Sequence, residues 1–351
     1  MAEIVVGGRP VGDEHPCFVI AEAGVNHGCD LAVAKEMIRR AKAAGADAIK
    51  FQTYKADTLV TRWAPRYWDD PEPSGTQYAI FRQIDKMEPP DYVAMAEHCR
   101  EQGILFVSTP FDLPSVDLLG QLEVPAFKVA SADLTDYPLL ERIAEYRRPI
   151  LLSTGASWLR EIRESVEFLA SCGAREVALL HCVLCYPTPV DQLSLLRLRT
   201  LKDEFPDLVV GLSDHTIPDE CVTTTSAAVA LGARIVEKHF TLDRSQEGPD
   251  HPLSLDPDLL EKTVRAIRLV ESALGDPEIV PLECELPARQ YARRSIIAAV
   301  TIPKGTRLIA EHLIMKRPGT GIPPTRVQEV LGRVTRREIE ADAALDWSDL
   351  E

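Results

Sequence analysis

The sequence predicts an α/β chain: a closed (β/α)8 TIM barrel followed by a small β-rich domain. Short apolar runs typical of buried parallel strands recur between Pro16 and about Leu274, and helix-like stretches separate most of them. Eight strand–helix units suggest a closed barrel, because the alternative, a doubly wound sheet, is not limited to eight strands. The apolar runs end near Ala21, Phe51, Val107, Val129, Leu152, Leu180, Leu212 and Val236.

Helix-like stretches between these runs carry start and stop signals. Asp30 suits an N-cap and Gly45 a stop for the first helix, and Gly103 ends the helix that begins near Pro90. We therefore predict helices over 30–44, 90–103, 157–172, 218–231 and 257–274.

The connection over 54–87 is too long for an ordinary barrel loop. Two interpretations stay open: a functional segment, either a lid or a subunit contact, or a surface excursion that packs on its own aromatic residues. Its aromatic residues are Trp63, Tyr67, Trp68, Tyr78 and Phe81, and its turn-forming residues are Pro65, Pro71, Pro73 and Gly75.

The pattern changes after Gly275, which suggests three parts: a barrel over 1–275, a linker over 276–292 and a β-rich domain over 293–351. The linker contains Pro and Glu and has no clear periodicity. Strand-like runs at 295–300 and from 313 identify the last part, which is small for an independent core and should pack on something else.

Composition excludes several classes of protein. A net charge of −15 over 351 residues argues against general nucleic-acid binding. No apolar run approaches the roughly 18 residues of a membrane span. We also expect no signal peptide, a cytoplasmic location and eight reduced cysteines, and the lone CxxC at 182–185 is weak evidence for zinc or redox chemistry.

His215 and His239 each follow an apolar run, within polar clusters at the same point of the repeating unit. Two neutral imidazoles from neighbouring strand ends could hold one divalent metal ion, whereas a single such His more often caps a strand or satisfies a core hydrogen bond. The repetition favours a metal site. Lys238, next to His239, should point to the other side of its strand.

Lys50 and Lys128 lie inside apolar stretches, where an unpaired charge is costly, so an anion should meet them. The partner is either an internal carboxylate, Glu22 or Asp133, or a bound small molecule. The hydroxyl groups at nearby strand ends would suit a phosphate and a carboxylate, which indicates a doubly anionic ligand. These hydroxyls belong to Thr109, Ser131, Ser153 and Ser213.

Taken in order, the strand-end motifs resemble those of the sialic acid synthase (N-acetylneuraminate synthase) family, and the C-terminal domain is similar to the antifreeze-like (SAF) domain. The resemblance covers nearly the whole chain. Its motifs are Glu-Ala-Gly-Val-Asn-His at 22–27, Lys-Phe-Gln-Thr at 50–53, Ser-Thr-Pro-Phe at 108–111, Lys-Val-Ala-Ser at 128–131, Leu-Ser-Thr-Gly at 152–155, His-Cys at 181–182, Tyr-Pro-Thr-Pro at 186–189, Gly-Leu-Ser-Asp-His-Thr at 211–216, Glu-Lys-His-Phe-Thr at 237–241, Gly-Pro-Asp at 248–250 and Lys-Arg-Pro-Gly-Thr-Gly at 316–321.

This resemblance implies condensation of phosphoenolpyruvate with an N-acylated amino sugar such as N-acetylmannosamine, giving a sialic (nonulosonic) acid and phosphate by C–O cleavage. It implies Mn2+ (or Mg2+ or Co2+) on His215 and His239. Position by position, it assigns Lys50 and Thr109 to the carboxylate of phosphoenolpyruvate, and it assigns Lys128, Ser131, Ser153 and Ser213 to the phosphate. Glu22 would act on the water or on the developing hydroxyl. The sugar would be bound by Gln52, Asp133, Tyr186 and Asp250, and its acyl group by Arg317.

Arg317 would reach the site from a second subunit, so the resemblance also implies a domain-swapped homodimer. Two positions depart from the family pattern: Leu184 stands where the compared bacterial synthases have Asn, and Asp133 stands where they have Glu. The sugar therefore stays open among N-acetylmannosamine, its 6-phosphate and a legionaminic- or pseudaminic-type precursor. Two other classes also stay open: a Schiff-base pyruvate aldolase on Lys50 or Lys128, and a non-catalytic polysaccharide-assembly protein.

Overall fold

A computed structural model describes residues 2–67, 75–248 and 250–351. The chain divides into two compact units, Met1–Gly275 and Asp276–Glu351. No helix in the described ranges is long and apolar enough to cross a bilayer.

Eight parallel strands of the first unit close into a barrel, as predicted. The strands are β3 (Phe18–Gly24), β4 (Ala48–Thr53), β5 (Leu105–Pro110), β6 (Phe127–Val129), β7 (Ile150–Ser153), β8 (Val177–Cys182), β9 (Val209–Asp214) and β10 (Ile235–His239). Their order around the barrel is β10-β3-β4-β5-β6-β7-β8-β9, so each strand pairs with its neighbours in sequence and β10 closes on β3.

A hairpin that the sequence analysis did not predict precedes the barrel. Strands β1 (Glu3–Val6) and β2 (Arg9–Gly12) pair antiparallel across Gly7 and Gly8, both of which have positive φ. A Gly-Gly pair is a known signal for a tight hairpin turn. Val6 and Val11 are buried in one cluster with residues from the first halves of several barrel strands, so the hairpin covers the amino-terminal end of the barrel interior.

Helices pack on the outside of the barrel, where a large apolar cluster joins them to the strands. Each of the five predicted helices is present, and the one expected over 218–231 is shorter; α2, α3, α5, α6 and α8 were not predicted. In the first unit the helices are α1 (Leu31–Ala43), α2 (Ala56–Leu59), α3 (Gln77–Ile84), α4 (Pro89–Gln102), α5 (Leu113–Gln121), α6 (Tyr137–Glu145), α7 (Leu159–Ser171), α8 (Arg197–Glu204), α9 (Thr223–Ala230) and α10 (Pro257–Leu274).

The second unit has its own apolar core, built from residues such as Ile296, Leu308 and Leu345. Strands β11 (Ser295–Ala298) and β12 (Leu313–Lys316) pair antiparallel within it. Helix α12 (Val327–Val330) follows them. The segment expected to be an irregular linker is partly helical, because α11 (Leu286–Tyr291) forms there.

Candidate active site

The carboxyl ends of the barrel strands open into a cavity of about 300 Å3. Every predicted site residue of the first unit lines it, while Arg317 lies in the second unit, directly after β12. The structure thus brings together Glu22, Lys50, Gln52, Thr109, Lys128, Ser131, Asp133, Ser153, Tyr186, Ser213, His215, His239 and Asp250. Their individual roles stay predictions.

Strand alternation explains which side chains face the cavity. On β10, Glu237 and His239 line the cavity, whereas Lys238 lies between them in sequence and pairs with Asp214, its Nζ being 2.9 Å from Asp214 Oδ2. Lys238 therefore points away from the site, as expected. The same rule could have identified Glu237, which the sequence analysis did not propose as a site residue, because it lies two positions before His239.

Both buried lysines have internal carboxylate partners. Lys50 Nζ lies 2.5 Å from Glu22 Oε2 and donates to Thr109 Oγ1 at 3.1 Å. Lys128 Nζ lies 3.6 Å from Glu237 Oε1, which is also 3.8 Å from Lys50 Nζ. Glu22 was among the expected internal partners, but Lys128 pairs with Glu237 rather than with Asp133.

Burial and the neighbouring charges shift the pKa values of the lysines and of Glu22. Burial lowers the pKa of Lys50, but the Glu22 and Glu237 carboxylates more than reverse this, so its pKa is raised. Burial, with Lys50 nearby, lowers the pKa of Lys128. Burial raises the pKa of Glu22 to about 7 against the opposing effect of Lys50. Glu22 can therefore exchange a proton near neutral pH, as a general acid or base must.

Next to the lysines, the two predicted metal ligands lie side by side, with ring centroids 5.3 Å apart. His215 Nδ1 donates to Val183 O at 2.9 Å, so Nε2 is the ring nitrogen that can bind a metal ion. His239 Nδ1 is buried without a hydrogen-bond partner in the described ranges and lies 3.6 Å from Asp250 Oδ2. Burial, with His215 and Lys50, holds the pKa of His239 well below its ordinary value, so this ring is neutral.

Burial lowers the pKa of His215, but Cys182 and the Val183 carbonyl more than reverse this, so its pKa is raised. Two imidazoles with a carboxylate beside them suit a divalent cation, which binds unprotonated ring nitrogens. Among the residues that the structure describes, no group of three or more His, Cys, Asp or Glu side chains is arranged to hold an ion. An ion on His215 and His239 would therefore complete its coordination with oxygen atoms of substrate or water.

Small residues and hydroxyl groups shape the side of the cavity near Lys128. Gly155 N donates to Ser131 Oγ at 2.9 Å, and a Cβ on Gly155 would lie 2.8 Å from that oxygen and 3.1 Å from Leu184 N. Ser153 Oγ is buried without a hydrogen-bond partner in the described ranges, whereas Ser213 donates to Glu237 at 3.0 Å. The hydroxyl groups of Ser153 and Ser213 can therefore donate hydrogen bonds to an anion bound beside Lys128.

Further polar groups lie around Gly24 and at Asp133. A Cβ on Gly24 would lie 3.3 Å from Glu22 Oε1, 3.5 Å from Gln52 Nε2 and 3.6 Å from Asp250 Oδ2. Asp133 Oδ2 is buried without a hydrogen-bond partner in the described ranges, and burial followed by Asp136 raises the pKa of Asp133 to about 7. These groups can bind the hydroxyl and amide groups of a polar ligand.

Much of the long connection over 54–87 lies beside the cavity. Leu59 and Val60 at the end of α2, and Ile80 and Ile84 on one face of α3, line the cavity. The segment also packs on its own aromatic residues, since the Tyr54 ring lies edge-on to Phe81 and Phe111. The functional interpretation, as a lid or a subunit contact, and the surface interpretation both stay predictions. Trp68, Pro71 and Pro73 lie outside the described residues.

Comparison with known proteins decides the family. The model of the NeuB family matches residues 37–278, and the SAF domain model matches residues 293–351. The chain belongs to the NeuB family. The resemblance inferred from the strand-end motifs is confirmed, and so are the TIM barrel and the SAF domain.

Related NeuB-family proteins match along nearly their whole length. The N,N'-diacetyllegionaminic acid synthase of Legionella pneumophila is 39% identical over 98% of this chain and 98% of its own. The N-acetylneuraminate-9-phosphate synthase of Homo sapiens is 35% identical over 95% of this chain and 93% of its own. The crystal structure of a sialic acid synthetase from Leptospira borgpetersenii superposes with a TM-score of 0.72 at 33% identity, covering 81% of this chain and 94% of that one. This NeuB-family protein is therefore an enzyme, a synthase of the same kind.

Proposed function

We propose that the enzyme condenses phosphoenolpyruvate with an N-acylated amino sugar, forming a nonulosonic acid of the sialic acid type and releasing phosphate. One observation carries the proposal: two buried lysines with unused or exchangeable hydroxyl donors adjoin a pair of histidines in a single cavity. The named relatives, synthases of legionaminic and N-acetylneuraminic acid derivatives, support the same reaction.

Phosphoenolpyruvate would bind on the side of the cavity lined by the lysines. Lys50 and Thr109, already 3.1 Å apart, would hold its carboxylate, and Lys128 would hold its phosphate. Ser131, Ser153 and Ser213 would complete the phosphate contacts. Ser213 donates to Glu237, and the phosphate would take over that hydrogen bond.

The sugar would bind with its open-chain aldehyde beside the histidines. Mn2+ (or Mg2+ or Co2+) on His215 and His239 would supply Lewis acidity to that carbonyl group. C3 of phosphoenolpyruvate forms the new C–C bond, water adds at C2, and the C–O bond to phosphate breaks. Glu22, with a pKa near 7, would exchange the proton of that water or of the developing hydroxyl.

Remaining contacts would orient the sugar. Gln52 and Asp250 converge near Gly24 and would bind its hydroxyl groups, together with Asp133 and Tyr186, whose ring lies 4.1 Å from that of His215. We also propose a homodimer in which Arg317 of one subunit binds the acyl group in the other subunit's cavity.

Phosphate release from phosphoenolpyruvate tests the reaction. We expect release that requires an N-acylated amino sugar, stops when a chelator removes the metal, and returns with added Mn2+. Lys128→Ala should lower kcat/KM by about 10²-fold, equivalent to about 3 kcal/mol for one charged contact to substrate. Absence of release with every sugar of a broad panel would contradict the proposal.

A Schiff-base aldolase is the second candidate, since burial lowers the pKa of Lys128 and a neutral amine is the nucleophile that forms an imine. Borohydride reduction in the presence of pyruvate separates the two reactions. A covalent adduct that disappears in Lys128→Ala would favour the aldolase, whereas the proposed condensation gives no adduct.

A further inference from the structure

A buried ion pair lies behind the two histidines, on the side of the barrel wall that faces away from the cavity. Asp214 and Lys238 are opposite each other in the parallel register of β9 and β10, and each directly precedes one of the histidines, His215 and His239. Lys238 Nζ lies 2.9 Å from Asp214 Oδ2. Asp214 is 0% and Lys238 3% exposed, so both charges are withdrawn from water.

The same ion pair binds Thr216, the residue that follows His215. Asp214 Oδ1 accepts from Thr216 N at 2.8 Å, and Asp214 Oδ2 accepts from Thr216 Oγ1 at 3.1 Å. Lys238 Nζ donates to Thr216 O at 2.7 Å. The backbone on both sides of His215 is therefore bonded to the pair. Because Lys238 also directly precedes His239, one network sets the positions of the two rings relative to each other.

Stability alone does not account for a buried ion pair of this kind. Removing two charges from water costs nearly as much as their attraction returns, and apolar residues of similar volume often stabilise a protein equally well. The pair does fix geometry, since Thr224 of α9 also donates to Asp214 Oδ2, at 2.8 Å, and so ties the strand ends to the outer helix. Ligands of a metal ion need such support, because they must be held to within about 0.5 Å.

Resting on the metal site of the proposed function, we propose that Asp214 and Lys238 are positioning residues whose ion pair holds His215 and His239 at the separation and angle that a divalent cation requires. They act through the backbone of β9 and β10 and touch neither the ion nor a substrate.

Lys238→Met gives a result whose sign separates positioning from electrostatics. Lys238 carries a positive charge next to His239, so the loss of that charge would by itself strengthen the binding of Mn2+. Positioning predicts the opposite. The Kd for Mn2+, measured by electron paramagnetic resonance of the free ion, should rise by about 10- to 100-fold, as is usual when an outer partner of a metal ligand is removed. Unchanged or tighter binding by the folded variant would overturn the inference.

The double variant Asp214→Asn/Lys238→Met separates positioning from stability. It removes both charges, keeps similar side-chain volumes and leaves no charge of the pair buried alone, so its Tm should recover most of what Lys238→Met loses. Its Kd for Mn2+ should stay raised by about tenfold or more, because Met cannot donate to Thr216 O. If the affinity for Mn2+ recovered together with Tm, the pair would act through stability alone and the inference would be wrong.

Asp47→Asn is the matched control at the other end of the barrel. Asp47 directly precedes β4, has a side chain only 8% exposed, pairs with Arg9 and Arg268, and accepts from Val19 N at 2.8 Å. This variant should lower Tm and leave the Kd for Mn2+ unchanged, and a raised Kd here too would overturn the inference. Absence of Mn2+ binding by the unchanged protein would instead contradict the metal-dependent function on which the inference rests.

Discussion

Replacing Glu237 with Gln removes one negative charge from the centre of the site and keeps the shape of the side chain. Glu237 is buried, accepts a hydrogen bond from Ser213 and lies within 4 Å of both Lys50 and Lys128. The amide cannot balance two ammonium groups. After the change, Lys50 keeps its ion pair with Glu22, whereas Lys128 loses the carboxylate that lies 3.6 Å away.

Coulomb's law gives the size of the effect. At an effective dielectric constant of about 20, one pair of unit charges about 4 Å apart contributes about 4 kcal/mol, and Glu237 forms two such pairs at 3.6 and 3.8 Å. The amide no longer has to be desolvated as a charge, which offsets part of this loss. Breaking a buried ion pair on one side typically costs about 3–5 kcal/mol, and we expect the free energy of unfolding to fall by that amount.

Calorimetry measures this loss as a fall of roughly 6–20 °C in the Tm of the barrel unit. Glu220→Gln is the matched control, because Glu220 is 80% exposed and pairs with Lys262 at 3.0 Å on the surface, where such a pair contributes at most about 1 kcal/mol. Added phosphoenolpyruvate should raise the Tm of Glu237→Gln more than that of the unchanged protein, since its negative charges replace the lost one. A loss no larger than that of Glu220→Gln would refute this account of the cluster.

Three further predictions concern other parts of the protein. The pKa of Asp133 is about 7 in the folded protein against an ordinary 3.8, so the folded state binds this proton more tightly than the unfolded state does. The free energy of unfolding should therefore fall as pH rises from about 4 to about 7. Asp133→Asn should remove this decrease and be the more stable protein at pH 8, as measured by urea unfolding. Gly155→Ala should lower kcat/KM by at least about tenfold without unfolding the protein, because its methyl group would displace the Ser131 hydroxyl; wild-type kinetics would contradict that contact. Mixing inactive His215→Ala and Arg317→Ala chains should restore activity to about a quarter of the sites if Arg317 acts across a dimer, and no recovery would argue against the homodimer proposal.

Strand positions were predictable because they depend on local patterning. Eight apolar runs bounded by polar and turn-forming residues require eight buried strands, and the structure places each strand where its run lies. The hairpin over 3–12 was missed although Gly7 and Gly8 signal a tight turn, because its four-residue strands are too short to show alternation. Helix α11 was missed because it occupies only six residues and begins with Leu286 and Pro287.

The site was predictable to the extent that a parallel barrel places the ends of all its strands at one rim. That rule alone brings Lys50, Lys128, His215 and His239 together from positions far apart in the sequence. Strand alternation would have added Glu237 to the list. What alternation cannot supply is pairing: Lys128 could have met either Asp133 or Glu237, and only the barrel geometry selects Glu237.

By itself, then, the sequence determined the strand–helix repeat, the polar residues at the strand ends and, through its motifs, the family, because each of these depends on short-range order along the chain. Tertiary structure alone decided which buried charges neutralise one another, which ring nitrogen of His215 is left for a ligand, and that α2 and α3 contribute side chains to the lining of the cavity. Those features depend on distances of a few ångströms between segments remote in sequence, and electrostatic and hydrophobic contacts are set by such distances.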